Sequence, residues 1–221
     1  MNAALRRLFF ALVVRPLALV VLGLNVRRRE LLPSQGPAVV MANHNSHLDT
    51  LVLMSLFPLG LLPRVRPVAA ADYFCRNRAL AWFSTRVIGI IPIDRYGHAK
   101  GNTEGAGEHR DPLAPVCEAL ARGEVVIIYP EGSRGEPERV GAFKSGVAHL
   151  AKRFPEVPFV PVFLHGLGKA LPSGEALLVL FFCDVFLGDS VRWGGGKARF
   201  MDDLTSRMNA LAAEGDFPPW E

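Results

Sequence analysis

The sequence predicts an α/β fold: a mostly parallel central sheet flanked by helices, with an N-terminal membrane-associating helix pair. Three observations carry that expectation. From Pro37 onward, short β-branched runs alternate with helical patterns, the signature of parallel strands joined by crossover helices. Ahead of them lie about thirty residues that are apolar and basic instead. Finally, 221 residues at 50% hydrophobic composition suffice for one full core. The expected division is a membrane-associating helical segment over residues 1–30 and an α/β domain over residues 31–221.

Within the first segment, Leu8 to Val14 and Leu17 to Val26 are apolar runs separated by Arg15 and Pro16. Neither reaches the roughly 20 residues of a spanning helix. One continuous span would carry an arginine at mid-membrane, at about 2.5 to 3.5 kcal/mol on insertion scales. The expectation is therefore two short helices kinked at Pro16 and lying in one leaflet, with Arg6, Arg7 and Arg27 to Arg29 at the headgroups. A signal peptide is disfavoured, because RRRELLP follows where a small-residue cleavage site belongs. A helix packed on the protein's own core stays open as an alternative.

Six arginines against one glutamate make these residues basic, so the rest of a chain of formal charge +4 is slightly acidic. That asymmetry points to membrane lipids as partners and not to nucleic acid. Cys75, Cys117 and Cys183 are too scattered for a disulfide framework or a zinc site and fit a reducing compartment. The expected location is the cytoplasmic face of the inner or plasma membrane, peripheral or monotopic.

Strands are expected near Ala38 to Ala42, Arg66 to Ala70, Gly89 to Ile93, Glu124 to Tyr129, Phe159 to Leu164 and Ala176 to Phe186. Helices are expected at about His47 to Phe57, Arg76 to Val87, Pro112 to Arg122, Ala142 to Arg153 and Leu204 to Ala213. Asp111 can cap the third of these, with Pro112 at its first position and Gly123 past its end. Arg95 to Asp111 is Gly-rich and aperiodic, a loop, and Trp193 to Lys197 reads as a turn.

MANHNSHLDT, Met41 to Thr50, raises the chemical question. Ser46 with Asp49 three residues later fits a capping box ahead of LVLMSLF, which explains Asp49 structurally but leaves His44 unexplained. Were both helical, five residues would turn about 500° and separate His44 from Asp49. With His44 in the loop before the cap, its imidazole can fold back onto the carboxylate. Such a pair fixes one tautomer and makes the other ring nitrogen a base for an alcohol proton. No GxSxG or similar elbow supplies a protein nucleophile, so direct attack by a substrate hydroxyl is the simpler scheme. A metal reading would take His44, His47 and Asp49, but HNSHLD matches neither HExxH nor an obvious metal triad, and no metal is expected.

GIIPIDR and YPEGSRG each follow a predicted strand, and ligands of open α/β sheets bind outside the carboxyl ends of strands. Arg95, Arg134 and Lys144 can offer charge-assisted hydrogen bonds to a phosphate, while Gly132 and Gly135 admit backbone N–H groups. Taken singly, these clusters read as a surface arginine and a turn. GAFKSG does not fit GxxxxGK[ST], which disfavours nucleotide hydrolysis.

Together the motifs resemble the glycerolipid acyltransferase family with its HX4D motif, above all the 1-acyl-sn-glycerol-3-phosphate (lysophosphatidic acid) acyltransferases. Asn43 to Asp49 looks like its NHx4D motif, Gly89 to Arg95 its second, Tyr129 to Gly135 its third and Val160 to Val162 its fourth. Phe143 to Gly146 also looks like a family segment. The resemblance implies transfer of a fatty acyl group from acyl-CoA or acyl carrier protein to the free hydroxyl of a lysophospholipid, with no further cofactor. It makes His44 the general base and Asp49 its partner. Arg95, Glu131 and Gly132, with Ser133 and Arg134 nearby, would hold the glycerol phosphate, Lys144 would assist by its charge, and Val160, Pro161 and Val162 would help line the binding surface. It also implies an N-terminal membrane-associating helix pair. Backbone N–H groups near Ser46 would suit the tetrahedral oxyanion. The alternatives are a different lyso-lipid acceptor, a lipid hydrolase using the same crevice, and a catalytically silent membrane-binding module.

Overall fold

The computed structural model describes residues 2–46, 48–71, 77–93, 111–132, 139–170 and 182–215. The chain begins with helix α1 (Ala3–Phe9), continued by π turns Phe10–Val14 and Leu17–Val21, then strand β1 (Asn25–Arg27). There follow β2 (Ala38–Ala42), α2 (Leu48–Leu56), β3 (Val65–Ala70), α3 (Arg78–Phe83) and β4 (Ile91–Ile93). Next come α4 (Ala114–Ala121), β5 (Val125–Ile128), α5 (Gly146–Arg153) and β6 (Phe159–His165). The short α6 (Leu167–Ala170), β7 (Asp184–Leu187) and the long α7 (Lys197–Glu214) complete the described elements.

The described strands form one seven-stranded sheet in the order β1-β7-β6-β2-β5-β3-β4. All pairs are parallel except β6 with β7. This is the expected α/β class. β2 lies at the centre, with Val40 in register with Ile127 of β5 and Val160 of β6. Its five residues, AVVMA, are all buried, as a strand covered on both faces requires. Ala38, Val40 and Ala42 point into one core with Val52, Leu53 and Phe57. Val39 and Met41 point into the other, against Val116, Leu120, Leu150 and Leu204. Period-two alternation thus fills two layers at once.

Several expected elements recur with shifted bounds. α7 begins well before Leu204, because Phe200, Leu204, Met208 and Leu211 form one buried stripe at helical spacing. Asp111 accepts the Leu113 N–H at 3.0 Å ahead of α4, and Gly123 past its end takes φ +70°. β1 was not expected: three residues with a polar pattern carry too little periodicity to announce an edge strand. The helix expected from Arg76 begins outside the described residues, as do residues 176–181 of the last expected strand and all but Asp111 of the expected Arg95 to Asp111 loop.

The N-terminal segment differs from the expectation in its backbone and in its arginines. The backbone stays helical through Arg15 (φ −66°, ψ −47°) and Pro16 (φ −57°, ψ −43°). π turns on either side shift the hydrogen-bond register where proline has no N–H to donate. One face packs into the core: Phe10, Val14, Ala18 and Leu22 are buried. The arginines are also placed differently. Arg6, expected at the headgroups, is fully buried and donates to the Val65 carbonyl. Arg15 donates to the carbonyls of Ser55 (3.2 Å) and Phe57 (2.7 Å), and Arg29 to that of Leu56 (2.9 Å). Arg28 donates to the Leu187 carbonyl and pairs with Glu214 at 2.6 Å. The last carbonyls of a helix lack intrahelical partners, and α2 finds them in two arginines.

Candidate active site

β2 ends at Ala42, between β5 and β6, and the loop that leaves it carries the opening motif. Asn43 and Asn45 fix this loop to the neighbouring strand. The Asn43 amide donates to the Leu164 carbonyl at 2.9 Å and accepts the Leu164 N–H at 2.7 Å; Asn45 donates to the same carbonyl at 3.0 Å. Both asparagines are buried, so these bonds are shielded from competing water.

Between them stands His44, whose Nδ1 lies 2.9 Å from Oδ2 of Asp49. The chain folds back here as the loop-plus-helix reading requires. The same oxygen accepts the N–H groups of Asn45 (2.6 Å) and Ser46 (2.8 Å), and Leu48 N–H reaches Ser46 Oγ at 3.3 Å. The capping box and the His-Asp pair are therefore one arrangement and not rivals. Asp49 is fully buried, whereas the His44 side chain remains 21% exposed. With Nδ1 turned to the carboxylate, Nε2 is the nitrogen left for chemistry. The same bonds correct the oxyanion expectation in part: the Asn45 and Ser46 N–H groups serve Asp49 and are not free for an oxyanion.

Beneath the imidazole lies Tyr129, just past β5, with ring centroids 4.2 Å apart and planes inclined by 22°. Its hydroxyl is 2.9 Å from Oγ1 of Thr50, the residue after Asp49. Burial, reinforced by the Asp49 charge, pushes the phenol well above its ordinary value. Tyr129 and Thr50, like Asn43 and Asn45, were not singled out in the sequence, although all four lie in or beside the quoted motifs.

Glu131 and Gly132 follow directly. Glu131 is buried, its Oε1 accepting the Gly141 N–H at 3.2 Å. Burial pushes its carboxyl up, against opposing contributions from the Gly141 N–H and from His44. Gly132 has φ +73°, and a Cβ there would lie 2.7 Å from Cε and Nζ of Lys144, so the lysine rests against bare backbone. The Lys144 N–H donates to the Pro130 carbonyl at 2.8 Å, tying FKSG to the PEG turn. His44 thus comes from the loop at the carboxyl end of β2, Asp49 from the first turn of α2, Glu131 and Gly132 from the loop after β5, and Lys144 from the segment before α5. Arg95, Ser133 and Arg134 lie outside the described residues, as does His47 of the metal reading. Among the described residues, no three His, Cys, Asp or Glu side chains are grouped to hold a metal. Val160, Pro161 and Val162 are buried inside β6, paired in register with Val40, Met41 and Ala42 of β2.

The Acyltransferase family model matches residues 23–165, most of the chain. A chloroplast 1-acyl-sn-glycerol-3-phosphate acyltransferase of Arabidopsis thaliana is 30% identical over 153 residues, covering 69% of this chain and 38% of the relative. The human 1-acyl-sn-glycerol-3-phosphate acyltransferase alpha is 30% identical over 142 residues, covering 63% of this chain and 44% of the relative. The chain thus spans less than half the length of either. The crystal structure of the 1-acyl-sn-glycerophosphate acyltransferase PlsC from Thermotoga maritima superposes with a TM-score of 0.74 at 16% identity, covering 99% of this chain and 81% of that one. That likeness concerns the fold, while the family model concerns the sequence itself. On that match, this chain belongs to the acyltransferase family.

Proposed function

We propose that this protein moves a fatty acyl group from acyl-CoA or acyl carrier protein to the free hydroxyl of a lysophospholipid, converting lysophosphatidic acid to phosphatidic acid. The observation that carries the reading is the His44–Asp49 pair, 2.9 Å apart at the carboxyl end of the central strand. His44 Nε2 takes the proton of the acceptor hydroxyl as its oxygen attacks the thioester carbonyl. Asp49 holds the tautomer and stabilises the imidazolium. The tetrahedral intermediate collapses with cleavage of the C–S bond, and the departing thiolate takes the proton back from His44. No residue is acylated, and no metal or further cofactor enters. Glu131, Gly132 and Lys144, joined by Arg95, Ser133 and Arg134, hold the glycerol phosphate, with the cations on the phosphate oxygens.

The enzyme works at the cytoplasmic face of the inner or plasma membrane, on lipids of that surface. Leu8, Leu12, Val13 and Leu19 of the N-terminal segment are exposed, as are Trp82 and Phe182. Phe9 packs edge-on against Phe83, the neighbour of Trp82, and Phe182 lies over Gly23. No described helix is long and apolar enough to cross a membrane.

The test is product analysis by mass spectrometry with acyl-CoA and acyl carrier protein thioesters against a panel of lyso-lipids. Phosphatidic acid should form, and His44→Ala should lose about 10²- to 10⁴-fold in kcat, the usual scale of general-base help. Free fatty acid as the sole product would mark a hydrolase. Undiminished turnover by His44→Ala would remove the base assignment.

A further inference from the structure

We infer that Tyr129 and Thr50 are positioning residues for the reaction proposed above, on which this inference rests: the Tyr129 ring is the platform for the His44 imidazole, and its hydrogen bond to Thr50 locks that platform to the helix bearing Asp49. A histidine held only by Nδ1 can swing about that hydrogen bond and sweep Nε2 through an arc. A flat face stacked at 4.2 Å removes this freedom. The contacts close a circuit, from the His44 ring to Asp49 at 2.9 Å, along the chain to Thr50, across 2.9 Å to the Tyr129 hydroxyl, and back through the stacked rings. Base, orienting carboxylate and platform come from three parts of the fold, the β2–α2 loop, the first turn of α2 and, far along the chain, the end of β5, and the circuit makes them one rigid unit. Catalysis is sensitive to such placement, since small displacements of a reacting group cost large factors in rate.

The platform also acts electrostatically. His44 becomes a cation in the transition state, and an aromatic face beneath a cation attracts it. Asp49 on α2 and Glu131 after β5 are the described ionisable groups that bear on His44 together with Tyr129. The ring face therefore stands beside the Asp49 carboxylate as a second partner for the cation formed in the transition state.

The test uses the full chain in detergent, with steady-state kinetics across pH and thermal unfolding of each variant. Tyr129→Phe and Thr50→Val should each lower kcat about 3- to 10-fold with KM unchanged, and the double variant should be no worse than either, because both remove one bond. Tyr129→Leu should lower kcat about 100-fold and move the acid limb of the pH–rate profile about half a unit lower, while Tyr129→Phe leaves the limb in place. Additive losses in the double variant would overturn the coupling. Tyr129→Leu with kcat within twofold of the parent, or with a loss tracking its unfolding temperature and an unmoved limb, would overturn the platform. His44→Ala separates the two readings. An active His44→Ala removes the general base itself, whereas an inactive one beside a fully active Tyr129→Leu removes only the platform.

Discussion

Oδ2 of Asp49 receives the His44 ring and two backbone N–H groups, so the buried charge is met by hydrogen bonds in place of water. Glu131 differs: burial pushes its carboxyl up, and its Oε2, like Oδ1 of Asp49, finds no hydrogen-bond partner among the described residues. A raised folded-state value means that the folded chain binds the proton more tightly than the unfolded one. Its contribution to stability is then full below the ordinary carboxylate range and is lost as the pH rises through the raised value. Glu131→Gln removes the ionisation, so the melting temperature of the variant should gain on the parent as the pH rises from the ordinary carboxylate range through the raised value. Melting curves across that interval check this; a constant difference would show that Glu131 is not strained by its charge. At this scale the sequence was informative about identity more than about contact. NHNSHLD announced a histidine and a carboxylate able to meet, and their meeting was found. Nothing in YPEGSRG told that its tyrosine would lie under the histidine, because that depends on β5 lying next to β2.

Helix α2 carries Asp49 in its first turn and ends at Leu56, where Arg15 and Arg29 donate to the carbonyls of Ser55, Leu56 and Phe57. The N-terminal segment thus grips the far end of the helix that carries Asp49. Hydrogen bonds from charged groups contribute about 1.5 to 3 kcal/mol, and losing them leaves partly buried carbonyls unpaired. Arg15→Met keeps the aliphatic stem and should destabilise the protein by about 1.5 to 3 kcal/mol in urea unfolding. A change below about 0.5 kcal/mol, the scale of ordinary surface substitutions, would mean that water replaces the arginine. The helices and central strands were legible because their apolar periodicity is strong. The destination of the arginines was not: a basic cluster beside an apolar run reads the same whether it meets lipid headgroups or helix carbonyls, and only packing distinguishes them.

Over the whole molecule, the sheet order places β2 between strands that arrive much later in the chain, so the His44 loop is buttressed by Leu164 on one side and Tyr129 on the other. The N-terminal segment divides its surface. Phe10, Val14 and Leu22 complete the core, while Leu12 and Leu19 stand 66% and 69% exposed. If the exposed side meets lipid, Leu12→Glu with Leu19→Glu should reduce partition onto anionic vesicles at least tenfold, since each leucine withdrawn from water contributes about 1.5 to 3 kcal/mol. Vesicle flotation beside circular dichroism checks this; unchanged flotation of a folded variant would place the membrane contact elsewhere.

By itself the amino-acid order determined the α/β class, the central strands and the histidine and carboxylate of the first motif that can pair. Those follow from local periodicity, capping chemistry and residue type. Only the tertiary structure decided that one oxygen both caps α2 and holds His44, that an aromatic ring supports the imidazole, and that arginines of the first segment turn inward. The reason is physical: each of those facts is a contact between segments far apart in the chain, such as Tyr129 with Thr50 or Arg15 with Phe57. Such pairings are set by strand order and by the packing of two core layers, which a linear pattern does not encode residue by residue.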